Sequence, residues 1–287
     1  MDYKNNLTST ATSSYPNTSD PTSPDLPIAI KASYTSSWSK ILCSSSKTIH
    51  LSPSPSHPSN QPQPQTTLKV SLPNGFYGSI ILDYASKSKT TSPLARASPE
   101  GRRGYDVLLP GSIAAEGLRR QSRRNKWTFA LPVGGDGAVE VERFEWRRSR
   151  GREIKQLGAS WRGWKLVRLG RRSGQDEGAQ WDEKDDESLP RYSSGDEKDG
   201  RADSAHAIEE NGEDEVVAVW AKTGRYTSLH DVGEFAFHGR GASGELGQRF
   251  AVMAVMTALC IWQKAMRDQA TAGAVSATTS VASVAVS

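Results

Sequence analysis

Apolar and polar residues alternate along many short stretches of this chain, which is the period-two pattern of strands with one buried face. Leu68, Val70 and Leu72 alternate with polar residues, and Asn74-Gly75 then supplies a hairpin turn. The same pattern predicts strands at 28–34, 76–84, 105–109, 127–133, 138–148, 153–157, 161–169 and 233–237. Residues 216–221 are apolar at both parities, which predicts a strand that is buried on both faces.

Two stretches need a separate interpretation. In the strand at 138–148 the apolar positions change parity between the pair Val139 and Val141 and the pair Phe144 and Trp146. A β-bulge near Glu142 or Arg143 would return both pairs to the same face. Residues 113–120 predict a short helix.

The stretch from Phe250 to Trp262 predicts a different element. Thr257 is its one polar residue, and neither glycine nor proline interrupts it. Its apolar residues run all the way round a helix, so the helix must be buried on every side. Thirteen residues rise only about 20 Å, too short to cross a bilayer, which favours a core helix.

About nine to eleven short strands and one long helix decide the predicted architecture. Closing antiparallel strands into a barrel removes exposed edges, and a helix that is apolar all round would fill the interior. We therefore predict a mainly β fold: a closed antiparallel β-barrel threaded by a hydrophobic C-terminal α-helix, with a disordered N-terminus and disordered loops.

Composition sets the predicted boundaries. Only 36% of the 287 residues are hydrophobic and the mean hydropathy is −0.59, so part of the chain is expected to be disordered. We predict a disordered segment at 1–26, a barrel domain at 27–267 with disordered inserts at 44–66 and 170–214, and a low-complexity tail at 268–287. The first insert is rich in Pro and Ser and is a candidate docking segment for a proline-reading protein.

No signal peptide or transmembrane segment is recognisable, so an intracellular protein, cytoplasmic or nuclear, is expected, with peripheral membrane association as an option. We expect no enzyme, cofactor or metal site. The two cysteines and five histidines show no metal-ligand spacing, and the carboxylates concentrate in one acidic run. Gly239, Gly241 and Gly244 match a dinucleotide-binding pattern, but the residues after Arg267 do not supply the second strand and acidic residue that such a site needs.

Charge is divided unevenly along the chain. Residues 101–172 carry 18 Lys and Arg against 7 Asp and Glu, a net charge of +11, whereas residues 173–215 carry 4 against 16, a net charge of −12. The basic block contains the candidate anion-binding residues, which are Arg119, Arg120, Arg123, Arg124, Lys126, Arg147, Arg148, Arg150, Arg152, Arg162, Lys165 and Arg168. If their strands are neighbours, these residues converge on one face or end. The acidic block at 173–215 is a candidate autoinhibitory cover for that face, or a solubilising insert.

Several segments resemble the tubby C-terminal-like superfamily, which includes the LURP-one-related proteins and the phospholipid scramblases, and are most similar to fungal members. They are RFEWRRSRGREIKQL (143–157), GWKLVRL (163–169), EVVAVWA (215–221), GEFAFHGRGASGELGQRFAVMAVMTALCIWQ (233–263) and, more weakly, SPLARASPEGRRGYDVLLPG (92–111). The resemblance implies a twelve-stranded barrel closed around a hydrophobic C-terminal helix. It also implies binding of phosphoinositide headgroups by basic residues on the barrel, although no motif transfers those positions residue by residue.

Two functions stay open at this point. The first is a non-enzymatic peripheral module that binds anionic phospholipid headgroups through the basic residues. The alternative is a protein-interaction scaffold with no lipid binding. The same cations would attract nucleic acid, but the tryptophans fall mostly at strand parity with other apolar residues, so base stacking is not expected.

Overall fold

The fold is a twelve-stranded antiparallel barrel with a helix through its centre, seen in a computed structural model. The structure describes residues 26–34, 46–55, 67–85, 92–101, 103–121, 125–133, 140–157, 163–170, 214–222 and 231–282. The strands are β1 Ala29–Tyr34, β2 Lys47–Pro53, β3 Leu68–Leu72, β4 Ile80–Tyr84, β5 Ala95–Glu100, β6 Gly104–Leu108, β7 Glu116–Gln121, β8 Lys126–Val133, β9 Glu140–Ser149, β10 Gly163–Leu169, β11 Glu215–Ala221 and β12 Asp231–Phe237. The helices are α1 Arg152–Gln156, α2 Gly239–Ser243 and α3 Gly247–Ala282, and a 3₁₀ turn spans Gly75–Tyr77.

Each strand pairs with the next one in the chain, and β12 pairs with β1 to close the barrel. We call the end where odd-numbered strands begin the proximal end, and the end where they finish the distal end. Helix α3 enters at the proximal end, where Phe250 packs against Phe144 and Phe237. It leaves at the distal end, where Trp262 packs against Tyr34.

The predicted burial of the helix on all sides is confirmed. Every residue from Val252 to Gln263 is buried, and the inward residues of the strands surround them. Strand β8 shows the pattern clearly, since Trp127, Phe129 and Leu131 are buried and alternate with residues that are partly exposed. The barrel interior is therefore a packed core in which the helix replaces any central cavity.

Two polar residues of α3 fix its position inside the barrel. Trp146 Nε1 on β9 donates to Thr257 Oγ1 at 2.9 Å. Near the distal end, Tyr105 Oη donates to Gln263 Oε1 at 3.0 Å, and Gln263 Nε2 donates to the Gly78 carbonyl at 3.0 Å. Buried polar groups need such partners, so these bonds select one placement of the helix.

A second, smaller core lies outside the barrel. Ile154 in the middle of α1 and Leu157 just after it pack on outward residues of β11 and its neighbours, including Val219 and Ala221. This explains why β11 is apolar at both parities: its inner residues belong to the main core that contains α3, and its outer residues pack with Ile154 and Leu157. The prediction of a strand at 153–157 is wrong, because the spacing of these two residues places them on one helical face.

Other local predictions also need correction. Residues 116–121 form strand β7 instead of a helix, since Leu118 is an inward residue paired with Tyr105 on β6. The β8–β9 pairing runs without a bulge, and Val141 is therefore 65% exposed on the outer wall.

Two predicted boundaries differ from the structure as well. Strand β2 lies within residues 44–66, so the prediction of an unpacked insert is wrong for that part. Its buried residues Ile49 and Leu51 are too few between the prolines to stand out in the sequence. Helix α3 continues to Ala282, well into the stretch predicted as a low-complexity tail.

Candidate functional site

The four neighbouring strands β7 to β10 bring most of the predicted basic residues together. In the distal half of these strands and in the turns beyond them lie Arg119, Arg120, Lys126, Arg147, Arg148, Arg150, Arg152 and Lys165. Arg168 lies apart, near the proximal end. Arg123, Arg124 and Arg162 lie outside the described residues. The expected convergence on one end is therefore found for eight of the nine described candidates.

Several of these cations are already neutralised by carboxylates. Arg119 on the outer face of β7 pairs with Glu100 at 2.7 Å and with Asp106 at 3.0 Å. Such exposed pairs contribute little stability. They do, however, reduce the charge that Arg119 offers to a ligand.

Glu145 on the outer face of β9 holds two more of the predicted residues. Its carboxylate is 8% exposed and accepts hydrogen bonds from Lys126 Nζ at 2.7 Å and from Arg147 Nε. Arg147 also pairs with Asp214 at 2.9 Å. Burial lowers the pKa of Arg147, but the hydrogen bonds to Glu145 and Asp214 outweigh it and raise the pKa above its ordinary value. Lys126 and Arg147 are thus fixed parts of the wall.

Arg168 belongs to a different cluster at the proximal end. Its guanidinium makes two hydrogen bonds to Glu142, at 2.6 and 2.5 Å, and lies 3.8 Å from Glu215. The hydrogen bonds to Glu142 raise its pKa above the ordinary value for arginine. Arg168 is therefore a structural residue, and its inclusion among the anion-binding candidates is not supported by its position.

Cations stacked on aromatic rings mark the distal rim. Arg148 lies 4.7 Å from the ring centre of Trp164, and Arg120 lies 6.0 Å from that of Trp127. Two further cation–aromatic pairs lie at this end, Lys47 over Phe76 and Arg267 over Tyr105. Neither Lys47 nor Arg267 is among the cations predicted from the sequence. Lys47 and Arg267 are far from the basic block in the chain, so only the barrel topology brings them to the same rim.

The turn between β9 and α1 carries the most available cations. Arg150 and Arg152 are exposed. Among the described residues, no carboxylate lies within ion-pair distance of either guanidinium. Next to them Arg148, held over Trp164, completes a group of three, which we call the distal arginines.

Comparisons with known proteins were made with protein-family models, curated proteins and solved structures. None of them gave a match. The resemblance to the tubby-like superfamily therefore stays a prediction, whereas the closed barrel and its central helix stand on the structure itself.

The described residues contain no cluster of His, Cys, Asp and Glu suited to a metal ion. None of their helices is both long and apolar enough to cross a bilayer. Gly239 and Gly241 of the glycine-rich segment lie in and around the five-residue helix α2, which leads directly into α3, so they shape a tight connection between β12 and the central helix.

Most of the acidic segment at 173–215 lies outside the described residues. Its last two residues do contact candidate cations. Asp214 pairs with Arg147, and Glu215 lies near Arg168 and accepts a hydrogen bond from the Arg240 backbone N–H at 2.9 Å. Whether the rest of the segment covers the distal arginines stays a prediction.

Proposed function

We propose that this chain is a non-enzymatic barrel that binds anionic phospholipid headgroups at a membrane surface through its distal end. The observation that carries the proposal is the group of distal arginines, Arg148, Arg150 and Arg152, beside a rim of cation–aromatic pairs. The resemblance to tubby-like domains points in the same direction.

The chemistry of a stacked arginine suits a phosphate ligand. The Arg148 guanidinium carbon lies over the Trp164 ring, 4.7 Å from its centre, and a guanidinium presents its N–H groups along the edge of a planar fork. A phosphate accepts two parallel hydrogen bonds from that edge. Stacking also reduces the conformational freedom that Arg148 would lose on binding, which favours a preorganised site.

Nucleic acid fits this surface less well. Single strands are usually held by open aromatic faces on which bases stack. At the distal rim Trp127 and Tyr105 are buried, and an arginine lies over each ring. These two ring faces are therefore already occupied and are not open to a base.

The test is co-sedimentation with phosphatidylcholine vesicles that either contain or lack phosphatidylserine or a phosphoinositide. A cation near an anionic membrane contributes about 1 kcal/mol, so Arg150→Gln should weaken binding by about fivefold. Lys69→Gln is the matched control, because it removes one charge from an exposed position on β3, far from the distal arginines. That variant should change the affinity by less than about twofold.

Two results would remove the proposal. One is the absence of binding to the anionic vesicles at low salt, where the attraction is strongest. The other is an equal loss of affinity in Arg150→Gln and Lys69→Gln, which would mean that net charge alone is responsible. Absence of binding would leave the interaction scaffold as the remaining interpretation.

A further inference from the structure

The turn between β6 and β7 holds one apolar side chain almost entirely in solvent. Gly111 has a φ of +69°, and the Ser112 N–H donates to the Leu109 carbonyl at 3.2 Å, so the turn has a defined shape. Ile113 follows and is 97% exposed. The side chain stands at the tip of a hydrogen-bonded turn.

Two more exposed apolar residues lie on the same side of the barrel. Leu108 ends β6 and is 44% exposed, and Val141 on β9 is 65% exposed. Small or apolar outward residues lie between them, among them Gly117 on β7 and Pro132, which pairs with Val141. Single exposed apolar residues are common on protein surfaces, but a group on one side indicates a contact region. We call Leu108, Ile113 and Val141 the apolar strip.

Exposed arginines flank the apolar strip. Arg96 pairs with Leu108 across the β5–β6 ladder, and Arg143 follows Val141 by two residues on the same face of β9. Both are exposed, and within the described residues neither has a carboxylate at ion-pair distance. The strip is therefore an apolar surface between available positive charges.

The shape and charge of this region decide between its potential occupants. Ile113 protrudes, so a protein partner would need a pocket to receive it, whereas a bilayer accepts a protruding apolar side chain without a matching cavity. A second copy of this chain, docked by the same face, would bring these arginines close to their own copies. Anionic headgroups match the arginines, and the acyl boundary matches the strip.

We propose that the apolar strip is the side of the barrel that enters an anionic bilayer, with Ile113 at the boundary between headgroups and acyl chains and with Arg96 and Arg143 at the phosphates. This rests on the proposed function and adds an orientation to it. Strand β7 has six residues and spans about 20 Å, from the turn that carries Ile113 to the distal rim. A bilayer that lies along this side of the barrel therefore contacts both Ile113 and the distal rim. The barrel then lies on its β6–β9 wall.

An environment-sensitive fluorophore on residue 113 tests the orientation. The probe protein carries Ile113→Cys and Cys43→Ser, labelled with NBD, while Cys260 is buried inside the barrel. Vesicles of phosphatidylcholine and phosphatidylserine should shift the NBD emission to the blue, and a quencher on the acyl chains should reduce it. The control label is at Lys69→Cys, an exposed position on β3, which lies across the closed strand order from β7 and β8. Its emission should not change.

Partitioning of unlabelled variants gives a second, independent measurement. Ile113→Ser should weaken binding to the anionic vesicles by roughly tenfold, because the apolar side chain no longer leaves water. Tyr77→Ser is the matched control: Tyr77 is 63% exposed in the 3₁₀ turn at the distal end. Loss of affinity in Tyr77→Ser but not in Ile113→Ser would mean that the open distal end docks and would overturn the inference.

The outcomes separate the two proposals. If the wild-type chain does not sediment with anionic vesicles, the proposed function fails together with the orientation. If it sediments but the label at residue 113 stays in water, only the orientation fails. The apolar strip would then be left to a protein partner.

Discussion

The hydrogen bond between Trp146 and Thr257 offers a direct test of how α3 is placed inside the barrel. Thr257 Oγ1 accepts from the indole N–H at 2.9 Å and donates to the Met253 carbonyl, also at 2.9 Å. Thr257→Val keeps the shape of the side chain but removes the acceptor. The indole N–H is then buried without a partner, because Trp146 and Thr257 are both fully buried. Such a group costs about 1–3 kcal/mol, so the free energy of unfolding should fall by that amount.

Thr257→Ser is the matched control, because it keeps the hydroxyl and removes only a methyl group. Losing a buried methyl costs about 0.5–1.5 kcal/mol, so Thr257→Ser should be the more stable of the two variants. Urea denaturation followed by circular dichroism measures both, and a loss of about 2 kcal/mol moves the midpoint by roughly 1 M. The Trp146–Thr257 bond would be refuted as a stabilising contact if Thr257→Val were as stable as the wild type.

Two further predictions concern pH and surface charge. Burial raises the pKa of Tyr34 and of Tyr105 above the ordinary value of 10.0, so the folded state keeps protons that the unfolded state releases. The contribution of these tyrosines to stability is therefore full below about pH 10 and is lost as the pH rises above it. In Tyr34→Phe, the free energy of unfolding measured with urea should fall less steeply with pH, by up to about 1.4 kcal/mol per pH unit. Separately, Glu145→Gln removes the carboxylate shared by two cations and should strengthen binding to anionic vesicles by about fivefold. Glu245→Gln at the proximal end, the control, should have less than about a twofold effect. A pH slope in Tyr34→Phe equal to that of the wild type would contradict the first prediction. Equal affinities of Glu145→Gln and Glu245→Gln for the vesicles would contradict the second.

The barrel was predictable because its two signals are independent and agree. A helix from Phe250 to Trp262 that is apolar on every side needs a surrounding core, and the short alternating strands each offer one apolar face. Only closure satisfies both requirements without exposed edges. Local consistency of this kind is what makes a sequence specify one fold.

The outer surface was harder to predict, because alternation describes only the inner face of the barrel. Residues 153–157 form a helix that covers β11 from outside, and β7 is a strand despite its helix-forming residues. In both cases the tertiary neighbours decide the element, which local propensity cannot report. Val141 shows the converse error: an exposed valine was expected to point inward and so required a bulge.

The basic block was found from the sequence, but its effective charge was not. Glu145 neutralises Lys126 across the β8–β9 ladder and Arg147 two residues along its own strand. The Lys126 contact depends on the β8–β9 register, which the sequence alone does not give. Arg150 and Arg152 at the β9–α1 turn keep their charge, because no carboxylate among the described residues lies within ion-pair distance of either. Three arginines, and not the full set of twelve candidates, therefore carry the proposed affinity at this end.

The polar residues of α3 explain how a helix without an apolar face can still take one position. Burial alone does not distinguish one rotation of such a helix from another, since every side is apolar. Thr257 has its partner on β9, and Gln263 has its partners on β6 and beside the 3₁₀ turn, so the two contacts fix rotation and depth together. A shift of either kind would leave a buried donor or acceptor unpaired, at a cost comparable to a large share of the total stability. The same placement puts Arg267 over Tyr105 at the distal rim, so the position of the helix inside the barrel also determines the charge that this end presents.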